Sequence, residues 1–114
     1  MKVVIAGSRD ITDSLGLVKA IKQSGFDISE VVSGMACGVD TMGEAWAAAN
    51  DIPVKQFPAN WNKHFSGAGP IRNAEMAEYA DAAVILWDGK SRGTLNMIKN
   101  MHTRDKPYFI RMVF

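Results

Sequence analysis

Three short segments of the chain combine glycine and hydroxyl side chains, and two of them add cations; these groups bind oxyanions in proteins. They read Gly-Ser-Arg-Asp at 7–10, Ser-Gly-Met-Ala-Cys-Gly-Val-Asp at 33–40 and Trp-Asp-Gly-Lys-Ser-Arg-Gly-Thr at 87–94. Glycine lets main-chain amides approach an anion, a helix start adds a favourable dipole, and arginine offers a planar fork to phosphate or carboxylate. The segments therefore predict a site for an anionic ligand.

Short apolar runs alternate along the chain with longer stretches of helical periodicity, a pattern typical of βαβ units with right-handed crossovers. We expect a Rossmann-like three-layer α/β/α sandwich with a five-stranded, mainly parallel sheet. In such a sheet the ligand lies beyond the carboxyl ends of the strands. Predicted strands cover 2–6, 28–33, 52–57, 82–87 and 107–113, and predicted helices cover about 13–25, 37–50, 70–80 and 91–102, with an irregular segment at 58–70.

The composition is that of a globular protein without a strong charge bias. The chain has 114 residues, of which 47% are hydrophobic and 22% charged, and its formal net charge is +1. This near-neutral charge argues against nucleic acid as a partner, and no apolar run reaches the roughly 18 residues of a membrane span. With a single cysteine, Cys37, and no signal-like N-terminus, we expect one cytoplasmic domain over residues 1–114.

Two familiar nucleotide-binding fingerprints are missing from the sequence. The pattern GxGxxG fails because Ala36 stands midway between Gly34 and Gly38, and the P-loop pattern GxxxxGK[ST] does not occur. An ordinary dinucleotide-dependent dehydrogenase or P-loop hydrolase is therefore not expected.

Four segments, in the same order, resemble the signature turns of the SLOG superfamily, and within it the small YspA-like, YpsA-related family of bacteria and phages. They are residues 7–9, 33–40, 69–73 (Gly-Pro-Ile-Arg-Asn) and 87–94. The resemblance extends over essentially the whole chain. It implies a Rossmann-like domain that binds nucleotides or nucleotide-derived ligands.

The second of these turns departs from the family pattern Gly-Gly-Ala-Arg-Gly-Val-Asp. Met35 replaces the second glycine, which restricts the backbone and the approach of a phosphate, and Cys37 replaces the arginine, which removes a forked donor. The phosphoribohydrolases of the superfamily also carry an acidic pair after their glycine-rich turn, where this chain has Leu-Asn-Met at 95–97. That difference weakens the case for hydrolysis.

Fourteen residues are predicted to contact the ligand, and the carboxylates of Glu44 and Asp88 are the candidates for a catalytic role. The predicted ligand-binding residues are Gly7, Ser8, Arg9, Ser33, Gly34, Gly38, Asp40, Arg72, Asn73, Trp87, Asp88, Ser91, Gly93 and Thr94.

Several of these polar residues have a structural interpretation beside the functional one. Arg9 either binds a ligand phosphate or pairs with a nearby aspartate, and Ser91 and Thr94 either contact the ligand or cap the fourth helix. Asp40 either steadies the start of the second helix or acts as an acid. Glu44 is either a solvated helical carboxylate or a catalytic one.

The aromatic residues near the predicted site also leave two interpretations open. Trp61, His64 and Phe65 in the irregular segment form either a lid that stacks on a base or a packed loop or subunit contact. Trp87 is either a platform for a base or part of the core. The histidines and the cysteine lack the spacing of metal ligands, so no metal site is expected, and no cofactor can be assigned.

The sequence leaves functions of different classes open. The first is binding of a small nucleotide or an ADP-ribose-like ligand in a crevice between the three turns. The alternative is hydrolysis of an N-glycosidic bond in a nucleoside phosphate or related ribosyl compound, with Arg72 on the phosphate and Glu44 or Asp88 near the ribosyl cation. The apolar segment 108–114, which no predicted helix covers, also predicts a homodimer or higher oligomer.

Overall fold

In the computed structural model, which describes residues 1–64 and 67–114, five parallel strands form one sheet with helices on both faces. The predicted Rossmann-like α/β/α sandwich is therefore confirmed. The strands are β1 (Lys2–Gly7), β2 (Glu30–Ser33), β3 (Val54–Gln56), β4 (Ala82–Trp87) and β5 (Tyr108–Met112), and the helices are α1 (Ser14–Ser24), α2 (Val39–Ala49), α3 (Trp61–His64), α4 (Ala68–Tyr79) and α5 (Arg92–Thr103).

The sheet has the strand order β3-β2-β1-β4-β5, so the two most apolar strands lie side by side in its interior. Both β1 and β4 carry near-continuous runs of buried residues, the pattern of strands covered on both faces. The chain adds β2 and β3 on one side of β1 and then returns to add β4 and β5 on the other. The order therefore reverses between β1 and β4.

Two apolar cores hold the helices to the two faces of the sheet. Alternate residues of β1 divide between them, because successive side chains of a strand point to opposite faces. Val3 and Ile5 pack with α1 and α2, whereas Val4 packs with α4 and α5. The helices that follow β1 and β4 therefore leave the sheet on opposite faces.

The helix ends follow local signals in the sequence. The Asp13 side chain accepts a hydrogen bond from the Gly16 amide at 2.8 Å and starts α1, and Gly25 ends it at a φ of +71°. Ser91 caps α5 by accepting from the Thr94 amide at 3.3 Å. Of the two predicted caps for this helix, Ser91 is the cap.

The segment 58–70 contains more helix than its sequence predicts. The Asn60 side chain accepts a hydrogen bond from the Lys63 amide at 3.1 Å, and this contact starts the short helix α3. Helix α4 begins at Ala68, so Pro70 lies in its first turn. The predicted strands at 28–33 and 52–57 are shorter in the structure than expected. The predicted lid residue Phe65 lies outside the described residues.

The C-terminal strand lies at the edge of the sheet and pairs only with β4 among the strands of the described ranges. Phe109 packs against the core beneath α1 and α2, and Ile110 against the core beneath α4 and α5. The expected contact of this segment with a second subunit stays a prediction.

None of the helices within residues 1–64 and 67–114 is both long and apolar enough to cross a membrane.

Lys106 stabilises the C-terminal end of α4. Its Nζ donates hydrogen bonds to the carbonyl oxygens of Ala77, Glu78 and Ala80 at 2.7, 2.8 and 2.7 Å. A helix end leaves such carbonyls without partners, and its dipole favours a cation there.

We expect K106M to lower the free energy of unfolding by about 2 kcal/mol, because it removes three hydrogen bonds from a charged donor. The measurement is urea unfolding followed by circular dichroism. K99M is the matched control, since Lys99 is exposed on α5. Equal stabilities of the two variants would contradict the role given to Lys106.

Candidate functional site

A cleft of about 780 Å³ opens beyond the carboxyl ends of the central strands. The turns after β1 and β2 reach it through Arg9 and Gly34, and the first turn of α5, the helix that follows β4, reaches it through Gly93. It lies where the strand order reverses, the place where ligands bind in open α/β sheets, and its volume is in the usual range for ligand sites. We call this cavity the outer cleft.

A smaller cavity of about 190 Å³ continues from the outer cleft toward the sheet. The two share Arg9, Arg72, Asn73, Ala36 and Gly93 in their walls. We call it the inner pocket. Its remaining lining residues are Ala6, Gly7, Asp40, Met76, Ser91, Thr94 and Met97.

Three arginines line the outer cleft. They are Arg9 after β1, Arg72 in α4 and Arg92 in the first turn of α5. No Asp or Glu lines this cavity within the part of the chain that the structure describes. The sequence left open whether Arg9 pairs with a nearby aspartate. Within residues 1–64 and 67–114 it forms no such ion pair. The cleft therefore carries concentrated positive charge.

The side chain of Arg72 is held by hydrogen bonds to its neighbour in α4 and to the turn after β2. Its Nε donates to Oδ1 of Asn73 at 3.1 Å, and its Nη1 donates to the carbonyl oxygen of Gly34. Asn73 is buried and donates in turn to the Gly93 carbonyl at 3.2 Å and to Oδ1 of Asn96 at 3.0 Å. This network joins α4, α5 and the turn after β2, and it fixes the orientation of the guanidinium.

The turn after β2 holds two residues in the left-handed backbone region. Gly38 has a φ of +76°, and a Cβ there would lie 2.3 Å from the carbonyl oxygen of Arg9, so only glycine fits. Met35, which stands where the resembling family has glycine, has a φ of +62°. A side chain in this conformation costs about 1–2 kcal/mol. Met35 is 50% exposed and lines the outer cleft together with Cys37.

Asp40 is a buried carboxyl in the wall of the inner pocket, only 4% exposed. It accepts a hydrogen bond from the Ala36 amide at 3.3 Å. Burial raises the pKa of Asp40 to about 6, although the amides of Ala36 and Gly34 and the charge of Arg72 act in the opposite direction. The charge of Glu44 adds to the increase in this pKa. The pocket therefore contains a group that titrates close to neutral pH.

The two carboxylates predicted as catalytic, Glu44 and Asp88, are not among the residues that line the outer cleft or the inner pocket. Glu44 is half-buried, and its Oε2 accepts from the Ser33 hydroxyl at 2.6 Å while its Oε1 accepts from the Gln56 amide at 3.3 Å. Asp88 accepts from the backbone amides of Lys90 and Ser91 at 2.8 Å each, and these bonds lower its pKa.

Several other predicted site residues hold the turns together. The Ser8 amide donates to the Leu86 carbonyl at 3.1 Å, and its hydroxyl accepts from the Asp88 amide at 3.2 Å. The indole of Trp87 donates to the Ser91 carbonyl at 3.1 Å, and its ring packs against the core beneath α4 and α5. Neither Ser8 nor Trp87 lines the two cavities.

The remaining predicted residues divide between the cavities and the scaffold. Gly34 and Gly93 line the outer cleft, and Gly7 and Asp40 line the inner pocket. Ser91 and Thr94 border the inner pocket, and the hydroxyl of Thr94 donates to that of Ser91 at 3.0 Å. Ser33 and Gly38 line neither cavity.

Among the lining residues of the outer cleft that are absent from the predicted ligand-binding set, Arg92 and Trp61 have side chains suited to a nucleotide. Arg92 is the first residue of α5 and lies within the glycine-containing segment 87–94, and its place in that predicted turn is a signal that could have identified it. Trp61 was left open as lid or loop packing; it is 59% exposed and lines the cleft. In the two described ranges, no group of three His, Cys, Asp or Glu side chains could hold a metal ion.

Comparisons with known proteins give a family and a fold. The model of the YspA, cpYpsA-related SLOG family matches residues 1–64. The X-ray structure of DNA processing protein A (DprA) from Streptococcus pneumoniae is similar with a TM-score of 0.76 at 17% identity, over 96% of this chain and 49% of that one. This chain thus spans about half the length of DprA, and the likeness shows a common fold. No curated protein matches the chain.

The raised pKa of Asp40 predicts a pH-dependent cost to the stability of the unliganded protein. Its pKa of about 6 in the fold exceeds the 3.8 of the free side chain, so the unfolded state ionises first. The stability that Asp40 contributes below about pH 4 is therefore lost as the pH rises to about 6. We expect D40N to gain up to about 3 kcal/mol relative to wild type across that interval.

Urea unfolding at a series of pH values measures this difference. D51N is the control, because it makes the same change at an exposed residue just beyond the other end of α2. A difference between wild type and D40N that stays constant with pH would contradict the prediction.

Proposed function

This chain belongs to the YspA, cpYpsA-related SLOG family, and from that premise we propose that its outer cleft binds a small nucleotide or a nucleotide-derived ligand of the ADP-ribose type. One observation carries the proposal. Three arginines from three different segments, Arg9, Arg72 and Arg92, line a single cavity of about 780 Å³.

The arginines suit the phosphate groups of such a ligand. A guanidinium group binds phosphate through two parallel hydrogen bonds and keeps its charge at every physiological pH. Arg72 is already oriented by Asn73 and Gly34, so little conformational entropy would be lost when it binds. Arg9 and Arg92 are exposed and line the same cleft, so they add two further forked donors for the phosphate.

Trp61 and its neighbours suit the base. The indole is 59% exposed, and the cavity wall beside it is formed by Pro58, Ala59 and Pro70. An exposed aromatic ring next to an apolar surface is a stacking platform that any nucleobase can use. The ligand would then lie across the cleft with its phosphates toward the arginines and its base toward α3.

We propose that the cleft binds the ligand and that neither Glu44 nor Asp88 hydrolyses it. Hydrolysis of an N-glycosidic bond needs a carboxylate that faces the ribosyl carbon as positive charge develops there. The carboxylate of Glu44 is engaged by Ser33 and Gln56, and that of Asp88 by two backbone amides. Chromatography for free base after incubation with a nucleotide distinguishes the two functions.

We propose that the cleft binds a small ligand and not a nucleic acid. The positive charge is concentrated in a concave cleft, whereas the chain as a whole has a net charge of +1. Nucleic-acid binding domains usually present a basic patch on one face or along a helix. The name of DprA refers to DNA processing, but its likeness to this chain concerns the fold.

We expect R9Q and R92Q each to weaken nucleotide binding by about tenfold or more, because each removes a charged forked donor from the cleft. Isothermal titration with AMP, ADP and ADP-ribose measures the affinities, and the fluorescence of Trp61 offers a second signal. K22Q is the charge-matched control, since Lys22 lies in the last turn of α1. The proposal fails if the wild type binds none of these compounds, or if all three variants bind equally well.

Gly93 offers a way to fill the cleft without disturbing the fold. A Cβ added there would meet no atom within 4 Å, and the residue lies in the first turn of α5. We expect G93A to stabilise the protein by about 0.5–1 kcal/mol, because glycine weakens helices. The larger side chain of G93L would occupy the cleft and abolish nucleotide binding while thermal unfolding stays near that of wild type. Undiminished binding by a folded G93L would exclude this cleft as the site.

A further inference from the structure

The carboxyl of Asp40 is a charged hydrogen-bond acceptor in the wall of the inner pocket. The proposed contacts to phosphate do not use it. The residue is 4% exposed and accepts from the Ala36 amide at 3.3 Å. Within residues 1–64 and 67–114 no side chain donates a hydrogen bond to this carboxyl. A carboxylate has about four acceptor positions, so acceptor capacity remains for a ligand beside the backbone amides of Ala36 and Gly34.

The groups around Asp40 restrict what that ligand can be. Arg72 faces the carboxyl from α4, and Glu44 lies one turn further along α2. Arg9 lines the same pocket from the turn after β1. The hydroxyl of Thr94 already donates a hydrogen bond to the hydroxyl of Ser91. The floor of the pocket is apolar, formed by Ala6, Met76 and Met97.

A buried carboxylate distinguishes between the parts of a nucleotide. It only accepts hydrogen bonds, and the phosphate of a nucleotide at neutral pH also only accepts and has the same sign of charge. A sugar hydroxyl is neutral and donates. The inner pocket has a volume of about 190 Å³, equal to roughly six water molecules at ~30 Å³ each, which is enough for a pentose ring.

We propose that the inner pocket takes the ribose of the bound nucleotide, whose 2′- or 3′-hydroxyl donates a hydrogen bond to Asp40, so that the protein selects ribonucleotides over deoxyribonucleotides. This inference rests on the proposed function. The phosphates stay in the outer cleft among Arg9, Arg72 and Arg92, and the base stays beside Trp61. A deoxy ligand leaves the buried acceptor without a donor, and such a loss weakens binding by about 10- to 100-fold.

The test compares AMP, ADP and ADP-ribose with their 2′-deoxy and 3′-deoxy analogues by isothermal titration at pH 7.5. For wild type we expect at least one deoxy analogue of each binding compound to bind about 10- to 100-fold more weakly. D40A should reduce this ratio to near one, and D40N, which keeps a weaker acceptor, should give an intermediate ratio. D51N should keep the wild-type ratio.

The pH dependence gives an independent test that needs no variant. Burial raises the pKa of Asp40 to about 6, so at pH 5 the carboxyl is largely protonated and a weaker acceptor. We expect the ratio of ribo to deoxy affinity to shrink between pH 7.5 and pH 5. The phosphate titrates alike in both members of a pair, so its own protonation cancels from the ratio.

The possible outcomes separate this inference from the function on which it rests. Equal binding of ribo and deoxy forms overturns the inference and leaves the nucleotide site intact. If inosine monophosphate, which lacks the base amino group, is rejected while deoxy-AMP is accepted, the donor to Asp40 is the base, and the inference is again overturned. If no nucleotide binds at all, the proposed function fails and the inference fails with it.

Discussion

The pairing of β1 with β4 is the constraint on which the rest of the molecule depends. These strands lie next to each other, but the chain leaves them on opposite faces of the sheet, so a gap opens where they end. Their approach is close: a Cβ at Gly7 would lie 2.2 Å from the Leu86 carbonyl oxygen. The Ser8 amide donates to that same carbonyl, which extends the pairing into the turn. The two turns are thereby held at the rim of one cavity.

Side chains of α4 form hydrogen bonds across this gap. Arg72 and Asn73 come from α4, which is far in sequence from either strand, and they bond to the turn after β2 and to α5. Two adjacent α4 residues thus relate the two halves of the sheet across the cleft. The arginine is oriented by the same bonds that hold the scaffold, so its placement does not depend on a ligand.

The apolar runs and the capping residues in the sequence predicted the strands and the main helices well. The spacing of residues could not predict contacts between side chains of different elements. The run at 82–87 is β4, and α1 lies within the predicted range 13–25, because these signals are local. The bond between Glu44 and Ser33 joins residues on two elements and depends on how α2 packs on the sheet. The capping side chain of Asn60 was a local signal for α3, but the polar segment around it masked the helix.

Some of the features that disfavour folding lie at the cleft, although Asp51 and Asp105 elsewhere in the chain also have a positive φ. Met35 has a φ of +62°, and Asp40 is buried with a raised pKa; both line the cavities. Three arginines place like charge around the outer cleft, and Asp40 is the carboxyl that faces one of them, Arg72. A ligand with phosphates and hydroxyls relieves two of these costs, because it neutralises the arginines and supplies donors to the buried carboxylate. The local instability of the unliganded protein and the proposed affinity for a nucleotide therefore have the same physical origin.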